Sequence, residues 1–562
     1  MANEMNRRQM LGTTTAVIGG ALAGVTADVF AQDKPAAKGA PSTSAGPNLD
    51  PPVVEIKGGK LRGLREGRTL SFLGIQYAQA ERFGPPLPVK PWSGVKNAQV
   101  WGPVCPSPEQ TAVGADELVF PHRYYIANEN CQYLNVWTQS LTPATKKPVM
   151  VWMHGGGFTN GSSMESYAYD GRSLSEFGDV VVVSMNHRLN ILGTLDLSAY
   201  GSQYANSRQT GMADLVSALQ WVRDNVATFG GDPDNVMIFG QSGGGGKVVR
   251  LMHMPEAKGL FHRVSAQSGG NNNYRGSDVA ASIKAQRTIA AHVLKQLNLT
   301  SADLDKLKTV PYYTLITAGT AALRSAAQEL GLPNIGGWNP IADDESVTRE
   351  FCDWADNIPL IAGSVFSEFA GNLQSGDNKN AWTPSEIDEH LTRAYGDKRS
   401  AIVAEFQKAF PHKKAQDVLF YAGTTRPGVK NLLDRKVEKS KVPTYNYVFA
   451  WEYPVNGGIT AFHCSELAFC FHALSVPQIK TATGGGPAAM ALQDKVSQAW
   501  INFAKTGNPN QPSLAWKPYT KESSQAMVFD TQSESVALND AKLISLLPQP
   551  AGRGGGAGRG GQ

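Results

Sequence analysis

Charge of one sign is scarce in this sequence of 562 residues. Lys and Arg number 52 against 48 Asp and Glu, a net charge of +4, and two of the surplus arginines, Arg553 and Arg559, sit in a glycine-rich tail. So weak a field holds neither a nucleic-acid backbone nor an anionic membrane surface. Cysteine is scarce as well, with five in the chain and no Cys-x-x-Cys pair; this excludes a small disulfide-held scaffold and a zinc ribbon. No internal repeat is visible. The one uncharged stretch near the start, from Gln9 to Ala27, is interrupted by Gly and Thr and is too mildly apolar to anchor in a bilayer. What remains, 41% hydrophobic and 18% charged residues, suits a globular chain with a large buried core. A small-molecule enzyme is the leading class.

The two ends differ from the middle. Asn6-Arg7-Arg8-Gln9-Met10-Leu11 resembles a bacterial twin-arginine export signal, and Val29-Phe30-Ala31 offers small residues for cleavage before Gln32. Residues 1–31 therefore read as a signal peptide, 32–50 as a flexible linker rich in Pro, Ala, Gly and Ser, and 549–562 as a disordered Gly/Arg tail. The expected location is periplasmic or secreted, with no membrane anchor after cleavage.

The folded body is expected over residues 51–548. Residues 148–153 and 179–184 are short, almost uninterrupted apolar runs, as strands covered on both faces of a parallel sheet are. Met212, Leu215, Val216, Leu219, Val222 and Val226 step by three and four and mark one face of a helix. A further strand over 235–239 follows the turn Gly230-Gly231-Asp232-Pro233. Strand, helix and strand in succession predict an α/β fold with a mostly parallel central sheet flanked by helices.

At the end of that third strand stands Gly240-Gln241-Ser242-Gly243-Gly244, a G-x-S-x-G sequence followed by a helix-like segment over 247–252. A sharp strand-to-helix turn strains the serine backbone and lifts its hydroxyl above the sheet. Attack on an ester builds negative charge on the carbonyl oxygen, which needs N–H donors already in place. His154-Gly155-Gly156-Gly157-Phe158, directly after another strand, can supply them. A P-loop reading of residues 243–248 fails because no Ser or Thr follows Lys247.

The run Phe229-Gly230-Gly231-Asp232-Pro233-Asp234-Asn235-Val236-Met237-Ile238-Phe239-Gly240-Gln241-Ser242-Gly243-Gly244 resembles the serine signature of type-B carboxylesterases, the cholinesterase-like branch of the α/β-hydrolase fold. Glu129-Asn130-Cys131-Gln132-Tyr133-Leu134-Asn135-Val136-Trp137 is similar to the second family signature, with Asn130 and Gln132 in place of the usual Asp and Leu. Asn186-His187-Arg188-Leu189 resembles a further block, with His187 where Tyr is usual. The resemblance implies a Ser-His-Glu triad of Ser242, His463 and Glu368, with Gly156, Gly157 and Gly243 as oxyanion donors. His463 lies in a block like the family's H-x-x-E, and Glu368 falls five residues after the strand-ending Gly363, with Phe369 where the family has Gly. Asp343 and Asp344 are the competing acids; His390 and His412 read as surface residues and His472 as a packing residue.

The resemblance also implies a support network behind the histidine of Gln241, Ser268 and Glu466, with Gln241 replacing the family's glutamate. It implies a Cys105–Cys131 disulfide, worth about 3 to 4 kcal/mol in the chain-entropy model, and leaves Cys352, Cys464 and Cys470 over. The implied function is a serine carboxylesterase acting on a small-molecule carboxylic ester through an acyl-enzyme, with no metal or organic cofactor and no nucleic acid. The alternatives are a lipase, lactonase or amidase on the same scaffold, or a non-catalytic cholinesterase-like binding protein. Phe158, Trp338, Phe366 and Phe369 are candidates for an apolar pocket.

Overall fold

The computed structural model describes residues 50–548 apart from 110–113, 271–273, 370, 374–376, 422 and 424. The predicted signal peptide, the linker up to residue 49 and the Gly/Arg tail lie outside the described residues. Eleven strands form one sheet: Leu64–Glu66 (β1), Thr69–Gln76 (β2), Tyr133–Thr138 (β3), Lys147–Met153 (β4), Val181–Met185 (β5), Gly231–Gln241 (β6), Arg263–Gln267 (β7), Leu360–Val365 (β8), Thr444–Phe449 (β9), Gln525–Phe529 (β10) and Glu534–Ala537 (β11). Their spatial order is β11-β10-β9-β8-β7-β6-β4-β5-β3-β2-β1. All neighbours from β5 across to β10 run parallel, and both margins are antiparallel.

The apolar runs explain this arrangement. Successive side chains of a strand face opposite ways. In β4, Val149, Val151 and Met153 enter one apolar layer while Met150 and Trp152 enter the other. Thr210–Asn225 (α1) covers the first layer with Met212, Leu215, Val216, Leu219 and Val222, the face predicted from the three-four spacing. Each such side chain taken from water contributes roughly 1.5–3 kcal/mol. Pro487–Thr506 (α5) covers the other layer with Val496, Ala499, Trp500 and Phe503. Val279–Gln296 (α3) and Tyr312–Glu329 (α4) pack on each other around a third, smaller cluster.

The strand before the serine begins earlier than expected. Gly231 already pairs with Lys147, and the register shifts before Val236 resumes the ladder. The helix after the serine, Gly243–Leu251 (α2), also begins earlier, taking in all four glycines. Close backbone contact explains three of them, Gly245 by a Cβ that would lie 2.9 Å from the Gln267 carbonyl oxygen. A Cβ on Gly243 would lie 2.2 Å from the Gly157 carbonyl oxygen, and one on Gly244 would lie 2.0 Å from that of Met153. Gly246 differs, since its Cβ would meet only the Phe158 ring, at 3.7 Å. Gly246→Ala should therefore raise stability by about 0.5–1 kcal/mol, the helix-interior preference for Ala over Gly, whereas Gly244→Ala should destabilise by more than that. Denaturant unfolding of both variants checks the contrast, and equal effects would contradict it.

Candidate active site

Four loops leave the carboxyl ends of parallel strands, so topology alone gathers them at one edge of the sheet. The loop after β4 carries His154 to Phe158, the turn after β6 carries Ser242, the segment after β8 carries Glu368, and the loop after β9 carries His463. Ser242 has φ 57° and ψ −122°, the strained turn expected of a serine between strand and helix. Its N–H donates to the Gln267 carbonyl at 2.8 Å and its carbonyl accepts from Gly246 at 3.0 Å, so the strained backbone is pinned on both sides.

Glu368 and His463 meet. Glu368 Oε2 is 2.5 Å from His463 Nδ1, and the carboxylate side chain is 1% exposed. The other oxygen, Oε1, accepts from the Val365 N–H at 3.1 Å, and the Glu368 carbonyl accepts from the His463 N–H at 3.0 Å. The acid thus holds the ring through both side chain and backbone. This geometry places the proton on Nδ1 and leaves the Nε2 lone pair to accept. Burial pulls the proton affinity of His463 down, but the charge and hydrogen bond of Glu368 more than offset it, and the net direction is upward.

Among the described residues no hydrogen bond joins Ser242 Oγ to His463. The Gln241 amide stands there instead, with Nε2 3.2 Å from His463 Nε2 and 3.4 Å from Nδ1. Gln241 Oε1 accepts from the Cys464 thiol at 3.2 Å. Since Gln241 directly precedes Ser242, the ring lies beside the serine turn. One neutral hydrogen bond is worth about 0.5–1.5 kcal/mol net, so giving up the amide contact costs the ring little.

The other expected support residues are close by but not joined to Gln241. Glu466 is fully buried, accepts from Gln267 Nε2 and from the Tyr447 hydroxyl, each at 3.4 Å, and its second oxygen has no partner among the described residues. Burial, with the Glu368 charge second, pushes its carboxyl up to about 7. Ser268 is buried with φ 46°, and its hydroxyl has no hydrogen-bond partner among the described residues. Gln267 and Tyr447, which the sequence did not single out, occupy the connecting positions.

In the loop after β4, Gly156 and Gly157 have φ 79° and 62°. The Gly156 carbonyl accepts from Asn160 at 3.1 Å and Thr159 at 3.3 Å, closing a tight turn. Gly243 opens α2, where the first N–H groups have no intrahelical acceptor. Behind this loop the buried rings of His154 and His187 stack at 5.2 Å. Arg188 forms a buried two-pronged pair with Asp214 of α1, at 2.7 and 2.9 Å. Lys247 is fully buried and donates to the His154 carbonyl at 2.9 Å.

The remaining candidates separate clearly. Asp343 bonds to Ser346, Val347 and Arg208, and Asp344 pairs with Arg349, away from His463. His390 stacks on Trp382, exposed His412 pairs with Glu534, and His472 lies between Phe177 and Asp494 at the edge of the body. Phe366 packs in the core against Phe410 and Tyr421, and Trp338 belongs to the third cluster. Phe158 is buried beside Lys247 and Arg250. Phe369 alone faces solvent, 71% exposed, with its ring 4.2 Å from the His463 imidazole.

The expected disulfide is not formed. Cys105 and Cys131 are both buried free thiols. They adjoin, and burial followed by the hydrogen bond with Cys105 raises the Cys131 thiol. Among the described residues no group of three or more His, Cys, Asp or Glu is arranged to hold a metal ion, and no helix is long and apolar enough to cross a membrane.

A strained serine at a strand-to-helix turn, beneath a glycine loop and beside a carboxylate-held histidine, on a mostly parallel sheet, defines an α/β-hydrolase-fold esterase. The chain belongs to the carboxylesterase family, whose model matches residues 50–543. It is 31% identical over 493 residues to the para-nitrobenzyl esterase of Bacillus subtilis, covering 85% of this chain and 95% of that one. It is 28% identical over 563 residues to liver carboxylesterase 1F of Rattus norvegicus, covering 89% and 95%. Among solved structures, an esterase from anaerobic Clostridium hathewayi that can hydrolyze aliphatic aromatic polyesters superposes with a TM-score of 0.80 at 40% identity, covering 89% of this chain and 98% of that one. The protein is a carboxylic ester hydrolase.

Gln241 sets a pH prediction. Its amide presents a donor to the ring, which disfavours the protonated imidazole, whereas a carboxylate there would favour it. Gln241→Glu should therefore move the acidic limb of kcat/KM to higher pH. A pH–rate profile of both forms checks this, and an unshifted limb would count against it.

Proposed function

We propose that Ser242 is the nucleophile, His463 the general base and Glu368 the residue that orients and stabilises the imidazolium. Ser242 Oγ attacks the ester carbonyl carbon while its proton passes to His463 Nε2. The N–H groups of Gly156, Gly157 and Gly243 hold the resulting oxyanion, each donor lowering the barrier by roughly 3 to 4 kcal/mol. Collapse breaks the C–O bond, and His463 returns the proton to the departing alcohol. Water then attacks the acyl-serine with its proton going to Nε2, and release of the acid restores the hydroxyl. The observation that carries this reading is the 2.5 Å contact between buried Glu368 and His463 beside the strained Ser242. Ser242→Ala should lower kcat by at least about 10³-fold, and Glu368→Gln by about 10²- to 10⁴-fold, with p-nitrophenyl esters as substrates. Retained activity in Ser242→Ala would overturn the assignment.

A second reading concerns the substrate. The exposed Phe369 ring, lying against the imidazole, together with the activity of the Clostridium hathewayi neighbour, supports esters bearing aromatic groups, aliphatic–aromatic polyesters included. An aromatic pair contributes about 0.5–1.5 kcal/mol beyond burial. Phe369→Ala should accordingly lower kcat/KM about 2- to 10-fold for aromatic esters and leave short alkyl esters unchanged. Equal losses on both series would remove Phe369 from substrate recognition.

The same reading extends to the ends of the chain. The Arg7-Arg8 segment supports export by the twin-arginine route, with residues 1–31 removed, 51–548 as the hydrolase domain and the adjoining Cys105 and Cys131 oxidised to a disulfide after export.

A further inference from the structure

Lys247 takes no part in the steps above, yet it is buried directly behind the oxyanion loop. Its side chain rises from the first turns of α2, is fully enclosed, and donates from Nζ to the His154 carbonyl at 2.9 Å and, more distantly, to the Gly155 carbonyl at 3.5 Å. The Gly155 carbonyl also faces His154 Nδ1 at 3.0 Å. In a trans peptide the C=O of one residue and the N–H of the next point in opposite directions. Drawing the Gly155 carbonyl toward Lys247 and His154 therefore turns the Gly156 N–H the other way. The next peptide is fixed independently, by the bonds of Asn160 and Thr159 to the Gly156 carbonyl.

An ammonium buried without a carboxylate in contact is costly. The opposing charge that acts most strongly on it is Glu165, with Arg250 a further cation and the His154 and His187 rings on the loop side. Burial is the main cause that brings the Lys247 amine down to about 7. The same burial, with the Lys247 charge second, holds His154 well below the ordinary histidine range. His154 is thus neutral and carries one ring proton. Placing it on Nδ1, where the Gly155 carbonyl can accept it, leaves Nε2 as the atom with no partner.

We infer that Lys247 is a positioning residue for the oxyanion hole: by tethering the His154 and Gly155 carbonyls behind the loop it aims the Gly156 N–H at the developing oxyanion. The inference rests on the reading of Gly156 as a donor in the proposed mechanism. Its effect belongs to the transition state, because a ground-state carbonyl draws far less on the donors than an oxyanion does.

The test uses the full-length enzyme and two variants, Lys247→Met, which keeps the apolar stem without donors, and Lys247→Gln, which keeps N–H donors without charge. Turnover of a p-nitrophenyl ester is measured beside inhibition by an aryl trifluoromethyl ketone, to which the serine adds as a tetrahedral oxyanion. The Met variant should lose about 10- to 100-fold in kcat, less than the 10²- to 10³-fold for deleting a donor outright. Its KM should stay within about threefold, and inhibitor affinity should fall in step with kcat/KM. The Gln variant should recover part of both losses. A folded Met variant with wild-type kcat and inhibitor affinity would overturn the inference, as would a loss confined to KM. Failure of both variants to give a cooperative thermal transition would also overturn it, since it would make Lys247 a residue of the fold. None of these results touches the assignment of Ser242, which stands or falls with Ser242→Ala.

Discussion

The site depends on one close approach of backbone to backbone. The start of α2 is pressed against the loop after β4 so tightly that neither Gly243 nor Gly244 has room for a methyl group beside Gly157 and Met153. That contact fixes the serine turn and the glycine loop as one rigid unit. Loops attached to separate strands would otherwise have to be brought together at an entropic cost. Here the loops after β4 and β6 leave neighbouring strands at matched height, since Gly240 pairs with Met153 in the ladder. Register, glycine and turn are three expressions of one steric demand.

Electrostatics at the histidine follow from what the fold can bury. Glu368 is held by Val365 and His463, with its carboxyl oxygen directly against Nδ1. Glu466 lies behind, with its carboxyl raised by burial to about 7, so near neutral pH part of its population carries no charge. With Gln241 in place of a carboxylate, the imidazolium rests mainly on one anion. Two further carboxylates so close by would repel Glu368 and each other in a low-dielectric site. An amide at 241 removes that repulsion while still filling the space between the serine turn and the ring.

Much of this was legible in the sequence, because it is encoded in local periodicity. The alternating destinations of Val149 to Met153, the buried face of α1 and the serine turn all follow from spacing within a few residues. The proposed triad required more: Glu368 and His463 lie 95 positions apart in sequence, and only likeness to a family connected them before the fold brought that pair together. Side-chain direction was not legible. Of four aromatic candidates the sequence could not say that Phe366 and Trp338 turn into the core while Phe369 turns out over the imidazole. The early start of β6 at Gly231 was hidden by a Gly-Asp-Pro turn signature, which tertiary pairing with Lys147 overrode. The cysteine pair was read as a bridge, whereas proximity of two thiols and their oxidation are separate matters.

Lys247 shows why polar residues in glycine-rich turns resist reading from sequence. Beside four glycines it resembles a phosphate-binding loop, a reading that fails because no Ser or Thr follows it. In the structure the glycines let the helix approach so closely that the side chain at 247 has no route to water and must find acceptors in the backbone it faces. The same packing that makes room for no methyl group at 243 and 244 thus leaves the lysine with carbonyls as its partners. Steric closeness and carbonyl tethering are therefore coupled. A loop standing farther away would admit water to Lys247, weaken its hold on the carbonyls and loosen the direction of the N–H groups proposed to hold the oxyanion.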